Sequence, residues 1–210
     1  MIDVYAYTTP NGFKALFGIE EFGLPYKLNW IDITKGVQMT PEYLAINPNN
    51  KIPAIRDSEG PDGKPITIFE SGAVLLYLAD KTGKLLAKSG ADRYIALEWV
   101  FFNAGGTGPM LGQLGYFAKF AQEKVPAAIE RFTKEGERLL RVLDKRLGDV
   151  PYLAGADFTI ADIMNVTWPR AARDFIGMDM TPYPNVTRWI AEIEKRPAAQ
   201  KAFAMKPTPS

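Results

Sequence analysis

The chain has 210 residues, enough for one large domain or two small ones, and its 47% apolar and 23% charged content is that of a folded globular protein rather than a disordered one. Twenty-five basic against 24 acidic side chains give a formal charge of +1, so no basic field advertises nucleic acid or an anionic membrane as a partner. Cysteine and histidine both stand at zero, which excludes disulfides, a protein thiolate nucleophile, zinc–thiolate and iron–sulfur sites, and every Ser-His or Cys-His system.

In chain order, Ile2–Tyr7 reads as a strand, closed by the breaker cluster Thr8-Thr9-Pro10-Asn11-Gly12. From Phe13 to Phe22 apolar residues recur at helical spacing until Gly23 and Pro25 stop the run. A second strand covers Tyr26–Asp32, and Thr40 with Pro41 marks the cap and first turn of a short helix. Asn47-Pro48-Asn49-Asn50 is a turn leading to Lys51-Ile52-Pro53, then a hairpin pairs Ala54–Arg56 with Pro65–Phe69. An apolar helix, Ala73–Leu78, follows Glu70-Ser71-Gly72 and ends near Thr82-Gly83. The order βαβ then ββα predicts a mixed four-stranded sheet covered by helices, the thioredoxin fold.

Beyond about Ala91 strand patterns cease, and helical periodicity runs through Tyr94–Phe102, Ile129–Leu147, Ile160–Ala172 and Val186–Lys195. Thr159 and Asp162 have the spacing of a capping box. The expectation is therefore α/β followed by all-α: a thioredoxin-like domain over 1–84, an all-helical domain over 90–205, and a frayed tail at Lys206–Ser210. The N-terminus has no basic, apolar signal pattern, and the longest apolar run, Ala73–Ala79, is far shorter than the ~20 residues of a membrane span. A cytoplasmic protein with no membrane partner is expected.

Three short motifs are candidates for chemistry, each with two open readings. Pro53 is either an ordinary trans proline opening a strand or a cis proline that turns the Ile52 backbone toward an extended ligand. Ser71 either caps its helix or, with Glu70 beside it, takes part in holding a zwitterion at a helix N-terminus. Thr9 and Asn11 are either turn formers or donors toward a developing thiolate or other anion, with Tyr7 as a rival donor. Farther on, Leu114-Gly115-Tyr116-Phe117 is either a core stripe or the wall of a second-substrate site.

Taken in order, these motifs resemble the glutathione transferases over nearly the whole chain. Asn50-Lys51-Ile52-Pro53-Ala54 is similar to the family's cis-proline motif, Phe69-Glu70-Ser71-Gly72-Ala73 to its γ-glutamyl-binding motif, and Phe158-Thr159-Ile160-Ala161-Asp162 to the capping box of its helical domain. Thr9-Pro10-Asn11-Gly12, Pro48–Pro53 and the glycine-rich Gly105–Gln113 further resemble the bacterial nu class, the disulfide-bond oxidoreductase type related to the fungal prion-forming nitrogen regulator. Glycine and proline at that density normally break a helix.

The resemblance implies glutathione as co-substrate, reduced or oxidised, no metal, and a homodimer. It places Lys51, Ile52 and a cis Pro53 on the glycyl and cysteinyl parts of the tripeptide and Glu70 and Ser71 on its γ-glutamyl end. Gln38 contacts the peptide, Arg131 reaches across the dimer, and Thr9 with Asn11 sits at the sulfur. The activity implied is disulfide-bond reduction, with organic-hydroperoxide reduction as a possible side activity. Conjugation to electrophiles and a non-catalytic glutathione-binding regulatory role are the alternatives.

Overall fold

Ile2, Val4 and Ala6 are buried and alternate with half-buried Asp3 and Tyr5, the period-two pattern of a strand. This strand, β1 (Ile2–Ala6), lies inside a four-stranded sheet. The computed structural model describes residues 1–207; of the tail expected to fray, Thr208–Ser210 lie outside the described residues. After β1 come α1 (Pro10–Phe22), β2 (Tyr26–Trp30), the one-turn α2 (Pro41–Leu44), β3 (Ala54–Asp57), β4 (Ile66–Phe69) and α3 (Ser71–Thr82). The sheet order is β2-β1-β3-β4, with β1 parallel to β2 and antiparallel to β3, and β3 antiparallel to β4. This is the thioredoxin-like βαβ–ββα arrangement.

Helix α1 starts where it does because Thr9 caps it: the Thr9 Oγ1 accepts from the Gly12 N–H at 3.1 Å, and Pro10 follows at the first helical position. Gly12 is required by space, since a Cβ there would stand 1.9 Å from the Tyr7 carbonyl oxygen. The helix is enclosed, with Lys14, Ala15, Leu16, Phe17, Gly18 and Ile19 all buried. It packs against α3, whose Val74, Leu75 and Leu78 are fully buried.

Among the described residues the chain divides into two compact units, Met1–Lys84 together with residues 196–207, and Leu85–Lys195. The last helix, α9 by chain order (Pro197–Ala204), thus falls in the unit of the thioredoxin-like elements, whereas the expected helical domain over 90–205 takes it in. The reason is its partners. Phe203 stacks edge-on against Phe13 and tilts onto Phe17, with ring centroids 5.5 and 5.6 Å apart. Arg196 grips Glu21 through two bonds of 2.6 and 2.9 Å.

The second unit is helical: α4 (Ala91–Phe102), α5 (Gly108–Gly115), α6 (Pro126–Asp149), α7 (Ile160–Ala171) and α8 (Pro184–Glu194). The glycine-rich stretch does not break the chain's helicity. Asn103–Thr107 forms a π-helical turn joining α4 to α5, and Tyr116–Phe120 forms a second one after it. Widened turns tolerate glycine, and here its small size lets the backbone close in: a Cβ on Gly108 would meet the Asn103 carbonyl at 3.0 Å, and one on Gly112 the Trp168 ring at 3.1 Å. The capping box forms at the start of α7 around the buried Asp162, which accepts from the Thr159 and Leu153 backbone N–H groups at 2.9 and 3.0 Å and from the Trp189 indole at 2.9 Å. No helix among the described residues is long and apolar enough to cross a membrane.

Candidate active site

The sheet register decides where the candidate loops meet. Tyr5 of β1 is paired with Ala54 of β3, Ala54 with Phe69 of β4, and Ala6 with Trp30 of β2. The C-terminal ends of β1, β2 and β4 and the N-terminal end of β3 therefore lie along one edge. Adjacent strands are ~4.8 Å apart, so the segments leaving that edge are neighbours. They are Thr8–Gly12 after β1, Asp32–Gln38 after β2, Lys51–Pro53 before β3 and Glu70–Gly72 after β4.

Two helices begin at this edge, α1 at Pro10 and α3 at Ser71, and neither carries an acidic residue in its first turn. The positive dipole ends of both helices face the same border of the sheet, an arrangement that favours anionic groups. Thr9 caps α1: its oxygen accepts from Gly12, and a hydroxyl that accepts still has a hydrogen to donate. Asn11, in the first turn, accepts at Oδ1 from the Lys14 ammonium at 2.9 Å. Tyr7 sits edge-on to Trp30, ring centroids 6.4 Å apart, and its phenol is pushed up by partial burial and by a hydrogen bond to Asp32.

The Ile52–Pro53 peptide bond is cis, so the plain trans reading of this proline is set aside. The loop before it is held from behind. The Lys51 carbonyl accepts from the Tyr43 hydroxyl at 2.6 Å and from the Asn47 amide at 2.7 Å, while the Asn47 Oδ1 takes the Asn49 N–H at 2.9 Å. Tyr43 and Asn47 are both buried. The Lys51 side chain is exposed, and Ile52 lies outside the paired strand.

Ser71 is not the cap of α3. The N-cap position belongs to Glu70, which makes no side-chain capping bond and holds φ 70°, ψ 119°, a region costly for any residue with a Cβ. Ser71 is the first helical residue and is buried. A strained, exposed glutamate on a bare helix start is an arrangement that packing alone does not ask for. On the β2 side, Gln38 donates through Nε2 to the Ile33 carbonyl at 3.3 Å, and its buried Oε1 has no partner.

Sequence reasoning missed Tyr43 and Asn47, whose Asx turn was signalled by the Asn-Pro-Asn run, and Lys14. In the helical unit, Arg131 is exposed on α6 and lines a groove with Glu130, Lys134 and Arg138. Leu114 belongs to that unit's core with Leu111 and Ala172, whereas Tyr116 is 52% exposed.

A thioredoxin-like unit with a cis-proline loop, a bare serine-led helix start and a following helical unit define the glutathione transferase architecture. Residues 9–81 match the N-terminal domain and residues 126–192 the C-terminal domain of glutathione S-transferase. The chain belongs to the glutathione S-transferase family. It is 47% identical to the disulfide-bond oxidoreductase YfcG of Escherichia coli K12 over 205 residues, 97% of this chain and 94% of that protein. Among solved structures, it is similar to a glutathione transferase family member from Pseudomonas fluorescens with two glutathione bound, at TM-score 0.92 and 44% identity over 96% of this chain and 92% of that one. A glutathione transferase from Pseudomonas putida with one glutathione disulfide bound per subunit is similar at TM-score 0.91 and 39% identity, over 97% and 91% of the two chains.

Proposed function

We propose that the protein is a glutathione-dependent disulfide-bond reductase. The observation that carries the reading is one sheet edge where two helix N-termini without acidic first turns flank the Ile52–Pro53 loop, in a chain that has no cysteine of its own. The similarity to an oxidoreductase of disulfides and to proteins that hold two glutathione, or its disulfide, supports the same reading.

In this mechanism the backbone of Ile52 pairs with the cysteinyl part of glutathione and Lys51 faces the glycyl carboxylate. The N-terminus of α3 takes the γ-glutamyl carboxylate with the Ser71 hydroxyl, and the Glu70 carboxylate takes its ammonium. Gln38 offers its unpartnered Oε1 to a peptide N–H. Thr9 and Asn11 donate to the sulfur at the start of α1. A free thiol titrates near 8.5, and lowering it by about two units takes about 2.7 kcal/mol of preferential thiolate stabilisation. Two charge-assisted donors and a helix start are of that size.

The glutathione thiolate attacks one sulfur of the substrate disulfide, forming a mixed disulfide and releasing the other half as a thiolate that takes a proton from solvent. A second glutathione thiolate then attacks the glutathionyl sulfur, releasing the remaining thiol and glutathione disulfide. Attack on a peroxide oxygen is the parallel side activity. A homodimer, with Arg131 reaching toward the partner's ligand, goes with this reading, as does a reducing, cytoplasmic setting where reduced glutathione is supplied. Turnover with hydroxyethyl disulfide is expected to exceed turnover with a chloronitroaromatic by orders of magnitude. Dominant conjugation would make the protein a conventional transferase, and binding without turnover would make it a non-catalytic glutathione-binding protein.

A further inference from the structure

One buried charge has no place in the mechanism above. Lys14 is 1% exposed, among the largest fully buried side chains of the protein, and it sits one turn into the helix that starts at the proposed sulfur site. Its ammonium donates to the Asn11 Oδ1 at 2.9 Å. Lysine is among the residues least often buried this far, and an apolar side chain of similar length would fill the space with no desolvation cost. Packing does not call for a cation here.

Its chemistry at Asn11 is specific. An ammonium carries donors only, and the asparagine side chain has one accepting and one donating end. Lys14 therefore fixes the sense of the amide: Oδ1 is the end on the ammonium, and Nδ2 is the donating end. The opposite sense would set donor against donor. A cation on the carbonyl also polarises the amide and strengthens its N–H as a donor. Burial pulls the Lys14 ammonium down to about 7, opposed by the Glu70 carboxylate, so Glu70 is the charged group that favours the protonated form.

We infer that Lys14 is a positioning residue for the glutathione thiolate: acting through Asn11, it orients and polarises the amide donor that lowers the thiol's pKa. The inference rests on the reading of Thr9 and Asn11 as the sulfur's donors. It makes Lys14 the reason an amide, which accepts as readily as it donates, works as a one-way donor at this position.

The test is the ultraviolet thiolate titration of bound glutathione in the full-length wild type, Lys14→Met, Asn11→Ala and the double variant, with disulfide turnover across pH and thermal melting. In the wild type the bound thiol titrates well below its free value. Lys14→Met is expected to raise that pKa by about one unit, a tenfold loss of thiolate at pH 7, with kcat falling in parallel and recovering at alkaline pH. Its KM for glutathione stays within about twofold and its melting temperature does not fall. In the Asn11→Ala background the same substitution adds little, because the group it acts through is gone. Lys14→Gln, which keeps a donor to Asn11 but loses the charge, falls between.

An unchanged thiol pKa in Lys14→Met, with the wild type still depressed, overturns this inference and leaves the reductase reading standing. A wild-type bound thiol that titrates like free glutathione removes both. Full additivity with Asn11→Ala, or failure of both the Met and Gln variants to fold, would make Lys14 a structural residue and also overturn it.

Discussion

Substitution of Thr9 separates two jobs that one oxygen performs. The Thr9 Oγ1 caps a 13-residue helix by accepting from Gly12 at 3.1 Å, and in the proposed mechanism the hydroxyl hydrogen donates to the thiolate. Thr9→Ala removes both. Loss of the cap costs about 1 kcal/mol of stability, a fall of roughly 2–4 °C in Tm for a chain of this size. Loss of a hydrogen bond to a charged group, about 1.5–3 kcal/mol, raises the bound thiol by one to two pKa units. Thr9→Ser retains both functions. Thr9→Asp is the decisive variant, because a carboxylate caps as well as a hydroxyl and suits the positive helix end yet has no hydrogen to donate and repels a thiolate. Stability measured by urea unfolding is expected to run Asp at or above Thr and Ser, with Ala lowest. Disulfide turnover at pH 7 is expected to run Thr and Ser together, Ala about 10–100-fold lower, and Asp at or below Ala. If activity instead tracks stability, so that Thr9→Asp turns over like the wild type, the hydroxyl is a cap alone and the thiolate is held by other groups.

The remaining tests address the γ-glutamyl end and the helical unit. Glu70→Gly accepts φ 70° without a Cβ, so the variant is expected to gain about 1 kcal/mol of stability while glutathione binding weakens about 10–100-fold by calorimetry; equal affinity would remove Glu70 from the site. Asp162→Ala leaves the Leu153 and Thr159 N–H groups and the Trp189 indole without their acceptor, at about 1–3 kcal/mol each, and a loss under about 2 kcal/mol in denaturant unfolding would contradict that count. Burial outweighs the donors around Asp162 and pushes its carboxyl up to about 6. The folded state therefore holds this proton more tightly than the unfolded one. Its stabilising contribution is full below the ordinary carboxylate range near pH 4 and is lost as pH rises to about 6. Wild type minus Asp162→Asn stability should fall by a few kcal/mol across that window, and a flat difference would show that the carboxyl is ionised throughout.

Much of the fold is legible because its signals are local. Alternation in Ile2–Ala6 and the hairpin before Phe69 mark strands, and the spacing from Thr159 to Asp162 marks a helix start. What is not legible depends on tertiary partners. Helical periodicity is read only as far as Lys195, and nothing local says that the chain beyond it will form a helix whose Phe203 finds Phe13 and Phe17. Gly105, Gly106 and Gly108 read as breakers because propensity treats them singly, whereas the π-helical turn of Asn103–Thr107 lets them continue a helix. At the site, Ser71 carries a capping signature yet lies one residue inside the helix, because Glu70 takes the cap position with a positive φ. Lys14 has a signal that can be read: Ala15-Leu16-Phe17-Gly18-Ile19 leaves the helix no polar face, and a helix apolar all round is enclosed, so a lysine on it is buried too.

Three features at one edge of the sheet each raise the free energy of the empty fold. Glu70 is held at a backbone angle that suits glycine, Lys14 carries its amine into the interior, and neither helix has an acidic residue within its first turn, Glu70 standing one position before α3. Taken singly, each has an ordinary reading as a turn, a packing accident or a bare cap. They do not fit together as accidents, because the register that aligns Tyr5, Ala54 and Phe69 brings two helix starts to one border, and both side chains belong to those starts. A group that would answer the charges at those starts has an ammonium for Glu70, a carboxylate for the start of α3 and a second anion for the start of α1. A tripeptide with a γ-linked glutamate at one end and a thiolate in the middle meets that description, and in a chain without cysteine the sulfur it brings is the atom that reacts.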